Sequence, residues 1–401
     1  MSSPGQQVYD HAIIGGGIAG LFSAFFNQKK AQAAGIPFNQ LLITDRINVP
    51  SKFGTILIPG FEGCDLERLA IRGKPAVELV RQYSGQLGKL LAENNIDAGY
   101  IPGYQMFGNH QNIEEARETL LTMWRMTSGE LETPARKNLL PFAGVTAGLI
   151  LDKVAGQINV PPLQSGLVKA IENMGGKVIA GEIYTGHEIA GDKVTVKTAS
   201  GNEYHSKRLP LLATGAEHMA GLNELLPSPI TPAYTIAFHV RVDHDDALRI
   251  SPKPTVFCDT SPTNVVCGAI SGDDVLTFCA LENEDRNAFG EMQEELVDLY
   301  HKLMPFLGTR YDDKMDFSFG AMSMTKNGYP IIGRLPKFDV MTGFCSIGIL
   351  PALAAANAYA NHVILGDDSE LRSFETLNIP RRIVRLGAPV RRMLASEQNA
   401  G

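Results

Sequence analysis

Three glycines near the start of the chain are spaced for the binding of an extended anionic ligand. Residues 11–26 read HAIIGGGIAGLFSAFF, and Gly15, Gly17 and Gly20 fill the marked positions of G-x-G-x-x-G, with Ile18 and Ala19 between the last two. The motif has meaning only where it joins a strand to a helix. Here Ala12, Ile13 and Ile14 lead into it and an apolar helical pattern leaves it. Gly15 then permits the tight turn, Gly17 lets a pyrophosphate approach the backbone, and Gly20 lets the helix pack closely on the strand. The unpaired N–H groups of the helix's first turn complete the anion site. Asp45 closes the next apolar run, QLLITD at 40–45. A carboxylate there can accept both hydroxyls of a ribose, and it disfavours a 2′-phosphate. The motif by itself leaves NAD and FAD open.

The elements that hold these residues follow from periodicity. A helix over 21–34 stops at Gly35, with Pro37 beyond, and 40–45 is the second strand. A Gly- and Pro-rich stretch, 49–63, precedes a helical region at 66–95 and a helix at 114–127 that carries Trp124. GQINVPPL at 156–163 leads into a helix over 164–174, and a strand follows at 177–181. Segments 183–189, 193–198 and 203–205 form a small antiparallel unit with Ser200-Gly201-Asn202 as its turn. A short buried strand, 209–214, ends in ATGA at 213–216. From 232 to 320 the period changes to strand alternation (YTIAFHVRV is the clearest run), broken by a helix at 286–304, which marks a second domain. The chain closes with NGYPIIG (327–333), GFCSIG (343–348) and a helix at 350–365. The expected fold class is α/β. A Rossmann-like parallel sheet built from 1–65, 145–225 and 325–401 would bind the cofactor, and an antiparallel-sheet domain from 66–144 and 226–324 would bind substrate.

Composition narrows the partners. The 401 residues carry a net charge of −7, which disfavours nucleic acid because phosphate binding needs a basic face. The cysteines, Cys64, Cys258, Cys267, Cys279 and Cys345, include no C-x-x-C pair, and the histidines include no H-x-x-x-H pair on a helical pattern, so neither a disulfide framework nor a protein-bound metal is expected. The polar start MSSPGQQVYD is unlike a secretory signal. No apolar run reaches the roughly 18 residues of a membrane span. The expectation is a cytoplasmic protein with a small-molecule substrate, and a homo-oligomer is an open possibility. Five arginines between Arg381 and Arg392 lie among apolar residues. Pro380, Gly387 and Pro389 interrupt any helix there, which favours docking on the protein itself or on a partner subunit over a membrane surface.

Four separated stretches, GGGIAG, Asp45, ATGA and the pair NGYPIIG and TGFCSIGI, together resemble the FAD-dependent oxidoreductases of the D-amino-acid oxidase, glycine oxidase and sarcosine oxidase family. The likeness spans nearly the whole chain, mostly as pattern. It implies FAD lying extended, with its pyrophosphate on Gly15, Gly17, Ile18, Ala19 and Gly20 and its ribose on Asp45 beside Arg46. Ile183 would meet the adenine. Ser51, Lys52, Gly54 and Thr55 would run near the isoalloxazine, and Thr214, Gly215 and Gly333 belong to the same cofactor set. Gly348, Ile349 and Leu350 would point a helix N-terminus at the flavin's pyrimidine edge, where negative charge grows on reduction. Three departures stand out. Met322 in GAMSMTKNGYP (320–330) occupies the place where members that hold an amino-acid carboxylate often carry Arg; Arg286, Arg310 and Arg334 are possible substitutes. Gly320 stands near the cysteine of covalent-flavin members, so FAD is expected to be non-covalent. The turn G-H-x-x-G before the last helix is reduced to SIGILPA.

The resemblance implies oxidation of a small amine or amino-acid-like substrate by hydride transfer to flavin N5, with oxygen, a quinone or another acceptor taking the electrons. Candidate polar groups at the reaction are Lys52, Tyr104, His239 and Thr325. The alternatives are a flavoenzyme acting on a hydroxyl or C=C bond, and a flavin-fold binding protein without turnover.

Overall fold

In a computed structural model of the chain, the first apolar run forms the strand His11–Ile14, buried along its whole length at the heart of a six-stranded sheet. The structure describes residues 7–46, 56–57, 74–108, 111, 113–114, 117–118, 121, 131–132, 147–250, 255–258, 265–270, 274–325, 328–345 and 348–375. Across the sheet the order is Ile331–Arg334, Asp339–Thr342, Leu211–Leu212, His11–Ile14, Gln40–Thr44 and Lys177–Ala180. All neighbours run parallel except the first pair. Parallel sheets are covered on both faces, and alternation along each strand divides the two cores. Ile13, Leu42 and Leu211 point into one cluster with Phe22, Phe25 and Leu353. Ala12, Ile14, Leu41, Ile43 and Leu212 point into another with Tyr9, Val196 and Tyr204.

The first face is covered by the helices Ile18–Ala33 and Ile349–Ala360, which pack on each other. All twelve residues of the second are buried, and its run of alanines permits the close approach. The other face is covered by the four-stranded unit Val8–Tyr9, Glu203–Ser206, Lys193–Thr198 and Tyr184–Ala190.

A second, mostly antiparallel sheet of nine strands starts with the edge strand Asp316–Thr325, followed by Ile230–Arg241 and Val275–Asn283. The helix Phe289–Leu303 covers it, burying Met292, Leu296 and Tyr300 on Phe238 and Phe278. The mixed parallel and antiparallel architecture agrees with the fold class read from the sequence. Several element boundaries differ by a few residues, and two of these differences bear on the site. The helix expected from 164 begins at Val160, because Pro161 and Pro162 sit in its first turn, where a missing N–H removes no helical bond. The strand expected to stop at 320 continues to Thr325, paired throughout with Ile230–Arg241. That extension carries Met322 and Ser323 from the second sheet to the edge of the first. Trp124 and the arginine-rich tail lie outside the described residues.

Beneath the parallel sheet sits a buried polar chain. Tyr359 donates to Asp339 Oδ2 (2.6 Å), so its oxygen accepts from His11 Nε2 (3.1 Å). Asn27 Nδ2 faces His11 Nδ1 (3.5 Å) and donates to Gln40 Oε1 (2.8 Å). These partners require a neutral His11 protonated on Nε2. Burial, aided by the charges of Arg208 and His362, pushes its pKa from 6.5 down to about 3.

Candidate functional site

A groove of about 660 Å³ opens at the carboxyl ends of His11–Ile14, Gln40–Thr44 and Leu211–Leu212. From the central strand the chain passes to Gln40–Thr44 on one side and later to Leu211–Leu212 on the other, and such reversals of strand order leave a crevice for a ligand.

The three motif glycines have three separate geometries. Gly15 has φ +114°, and a methyl on it would stand 2.2 Å from the Ala213 carbonyl oxygen. Its N–H donates to Ile43 O and that of Ala213 to Ile14 O, both at 2.8 Å, which joins the glycine turn to ATGA. A methyl on Gly20 would stand 1.9 Å from Gly15 O, so Gly20 sets the closeness of helix to turn. Gly17 has φ −70° and ψ 173°, is exposed, and has nothing within 4 Å of where its side chain would be. Its bare face forms groove floor beside the free N–H groups of the helix Ile18–Ala33. These features fit a pyrophosphate. Gly16, not singled out in the sequence, lies against Thr44, with a methyl there 2.6 Å from Oγ1.

Charge gathers at one end of the groove. Asp45 accepts from Arg46 Nε (3.3 Å), and both side chains are more than half exposed. Glu182 lies beside them, held by Ser200 and Asn202, and these hydrogen bonds lower its pKa. Ile183 is 59% exposed, leaving an apolar face for a flat ring. Next to it Tyr184 donates to His187 Nδ1 (2.6 Å), while His187 Nε2 donates to Lys337 O (2.7 Å). Burial pushes the Tyr184 phenol up to about 12. His218 stands edge-on to Tyr184, and burial lowers its pKa, which favours the neutral ring.

The other end has no charged side chain among the described lining residues. Ala321, Met322 and Ser323 form one wall, and Gly343, Phe344, Cys345, Gly348, Ile349 and Ala352 form the other. The walls are tied by Cys345 N–H donating to Ser323 O (3.2 Å). Cys345 has φ +54°, a left-handed conformation uncommon for a residue with a side chain.

Of the residues expected from the sequence, Gly15, Gly17, Ile18, Ala19, Asp45, Arg46, Ile183, Thr214, Gly215, Gly348 and Ile349 line the groove. Gly20 and Leu350 are buried behind it, and Gly333 lies within the strand Ile331–Arg334. His239 Nδ1 pairs with Thr277 Oγ1 (2.9 Å) inside the second sheet, and Thr325 donates to Tyr329 O (2.8 Å); neither lines the groove. Ser51, Lys52, Gly54 and Thr55, and the side chain of Tyr104, lie outside the described residues. Arg310 is paired with Asp246 and Arg334 lies 3.8 Å from Asp368, and with Arg286 they are absent from the groove lining. Tyr184, His218, Gln164 and Thr342 do line it. Tyr184 and His218 lie within three residues of an expected site residue and Thr342 opens the stretch TGFCSIGI, whereas Gln164 had no local signal. Among the described residues no cluster of three or more His, Cys, Asp or Glu could hold a metal ion, and no helix is long and apolar enough to cross a membrane.

The family model described as FAD dependent oxidoreductase matches residues 10–362. No curated protein matches the chain. Among solved structures, glycine oxidase from Bacillus cereus is similar at 15% identity and TM-score 0.72, with 94% of this chain and 100% of that chain covered. L-proline dehydrogenase from P. horikoshii follows at 16% identity and TM-score 0.70, covering 90% and 94%. The dithionite-reduced L-alpha-glycerophosphate oxidase from Mycoplasma pneumoniae, with FAD bound, is similar at 14% identity and TM-score 0.67, covering 90% and 95%. At these identities the likeness is one of fold.

Proposed function

The chain belongs to the FAD-dependent oxidoreductases matched over residues 10–362, and from that premise we propose that it oxidises a small amine at the carbon next to nitrogen, with FAD held non-covalently in the groove. FAD, when bound, supplies the two-electron acceptor; the protein supplies binding, orientation and electrostatics. Gly17 and the first turn of the helix Ile18–Ala33 hold the pyrophosphate through backbone N–H groups. Asp45 accepts from the adenosine ribose, and Ile183 and Tyr184 cover the adenine end. The helix Ile349–Ala360 begins at the opposite end of the groove, where its dipole favours the negative charge that reduction adds.

The observation that carries the substrate reading is the uncharged wall of Ala321, Met322 and Ser323. A carboxylate brought there would lose water and gain no charged partner, only the single hydroxyl of Ser323, a net penalty. A neutral amine with an apolar substituent would lose little. These residues also exclude water from the reacting C–H bond. An amine that arrives unprotonated needs no side chain to remove a proton before oxidation. This agrees with the positions of His239 and Thr325 away from the groove.

The test is anaerobic mixing of the yellow protein with two sets of secondary and primary amines, one bearing an α-carboxylate and one not. Bleaching of the flavin colour by the carboxylate-free set is the expected result. Bleaching by α-amino acids alone overturns the substrate reading. Bleaching by 2-hydroxy compounds alone, with amines inert, moves the activity to a C–O bond.

A further inference from the structure

Buried polar groups in folded proteins are hydrogen-bonded, and each exception calls for an explanation. Two exceptions line this groove. Gln164, in the second turn of the helix Val160–Asn173, is 2% exposed, and its Oε1 is buried with no hydrogen-bond partner. Thr342, the last residue of the strand Asp339–Thr342, is 3% exposed, and its Oγ1 is likewise buried and unpaired. Both residues line the groove.

Their positions are independent of each other. The Val160–Asn173 helix leads to Lys177–Ala180 at one edge of the parallel sheet, whereas Asp339–Thr342 lies on the opposite side of His11–Ile14. The helix packs on Ile18–Ala33, whose first turn bears the anion site, so Gln164 belongs to the phosphate side. Thr342 directly precedes Gly343 and Phe344 and shares their wall with Ile349, so it belongs to the flavin side. Packing does not require the polar atoms: Met and Val would fill nearly the same volumes without an unpaired group. Each group left unpaired raises the energy of the fold, and a polar atom in the groove, met by a small rotation of the side chain, can relieve it.

We propose that Gln164 and Thr342 are ligand-binding residues of this groove, left unpaired in the free chain and satisfied by polar atoms of bound FAD. Gln164 acts on the pyrophosphate–ribose stretch, where its unpaired Oε1, once the carboxamide turns toward the groove, can accept from a ribose hydroxyl. Thr342 acts on the ribityl–isoalloxazine stretch, where its hydroxyl can both donate and accept. The inference rests on the groove being the FAD site.

The experiment compares Gln164→Met, Thr342→Val and Thr342→Ser with the wild type, each as the full chain stripped of flavin and titrated with FAD by fluorescence quenching. Thermal melting is recorded without and with FAD. Ordinary structural residues lose stability when their polar atoms are removed; these two should not. The flavin-free Gln164→Met and Thr342→Val proteins are expected to melt no lower than wild type and to bind FAD about tenfold more weakly, equivalent to about 1.4 kcal/mol. Thr342→Ser, which keeps the hydroxyl, is expected to retain affinity within about threefold. Wild-type affinity in both apolar variants overturns the inference. So does a flavin-free variant that melts well below wild type or fails to fold, because its polar atom then serves the fold. A wild-type chain that takes up no FAD overturns the reading of the groove itself, a different and recognisable failure.

Discussion

Gly17→Ala separates folding from ligand binding more cleanly than any other substitution at this site. Its backbone, φ −70° and ψ 173°, is open to alanine, and no atom lies within 4 Å of the new methyl. Glycine to alanine at a permitted conformation stabilises by about 0.4–1 kcal/mol through the unfolded chain. Alanine is a poorer helix N-cap than glycine by roughly 0.5–1 kcal/mol. The two effects nearly cancel, so the flavin-free variant should unfold within about 1 kcal/mol of wild type. The methyl nevertheless occupies the groove floor where a pyrophosphate must touch the backbone, and FAD affinity should fall at least about tenfold. Gly20→Ala gives the opposite pattern. Its methyl would lie 1.9 Å from Gly15 O, and helix and turn must separate by more than an ångström to restore contact distance. Overpacking of that kind destabilises by about 1–3 kcal/mol. Urea denaturation of the flavin-free proteins and FAD titration of each supply both numbers. A folded Gly17→Ala protein with wild-type FAD affinity would refute the reasoning, as would a Gly20→Ala protein of undiminished stability.

Asp45→Ala should weaken FAD by about 10–100-fold through loss of charge-assisted bonds to the ribose. FMN, which lacks the adenosine, should bind it as it binds wild type, and an equal loss for both ligands would contradict the assignment. Met322→Arg should add a carboxylate partner to the uncharged wall and raise the rate of anaerobic bleaching by α-amino acids about tenfold; an unchanged rate counts against that wall facing substrate. His11 predicts acid sensitivity. Its folded pKa of about 3 lies below the ordinary 6.5, so below pH 6.5 the unfolded chain binds a proton that the folded chain refuses. Stability from this residue is therefore complete above about pH 6.5 and falls by up to about 1.4 kcal/mol per pH unit as the pH drops toward 3. Denaturation curves should show a shallower pH slope for His11→Gln between about pH 6 and pH 4, and an identical slope would place the sensitivity elsewhere.

Much of the site was legible because single residue types carry it. Only glycine tolerates the φ of +114° at position 15 or the 1.9 Å approach at position 20, so G-x-G-x-x-G is written by sterics. Asp45 was legible because strand ends are, and Gly348 and Ile349 because an apolar alanine-rich run must start a buried helix there. What escaped notice depends on register and on tertiary neighbours. Periodicity puts Gln164 at the start of a helix that begins at Val160, so the residue lies a turn inside it, at the groove. Met322 and Ser323 reach the groove wall only because the edge strand runs on to Thr325. Thr342 is one apolar-looking strand position among several, and its unpaired hydroxyl is invisible until the sheet is assembled. Thr325 and His239 look alike as candidate catalysts in the sequence, yet each has a hydrogen-bond partner in its own sheet or turn and neither lines the groove.

The flavin content of the purified chain tests the central claim most directly. The protein, isolated without added cofactor and then saturated with FAD, should bind one FAD per chain, and acid precipitation should release all of it to the supernatant as unmodified FAD. A chain that binds no flavin, or that keeps flavin on the precipitated protein, would contradict the account.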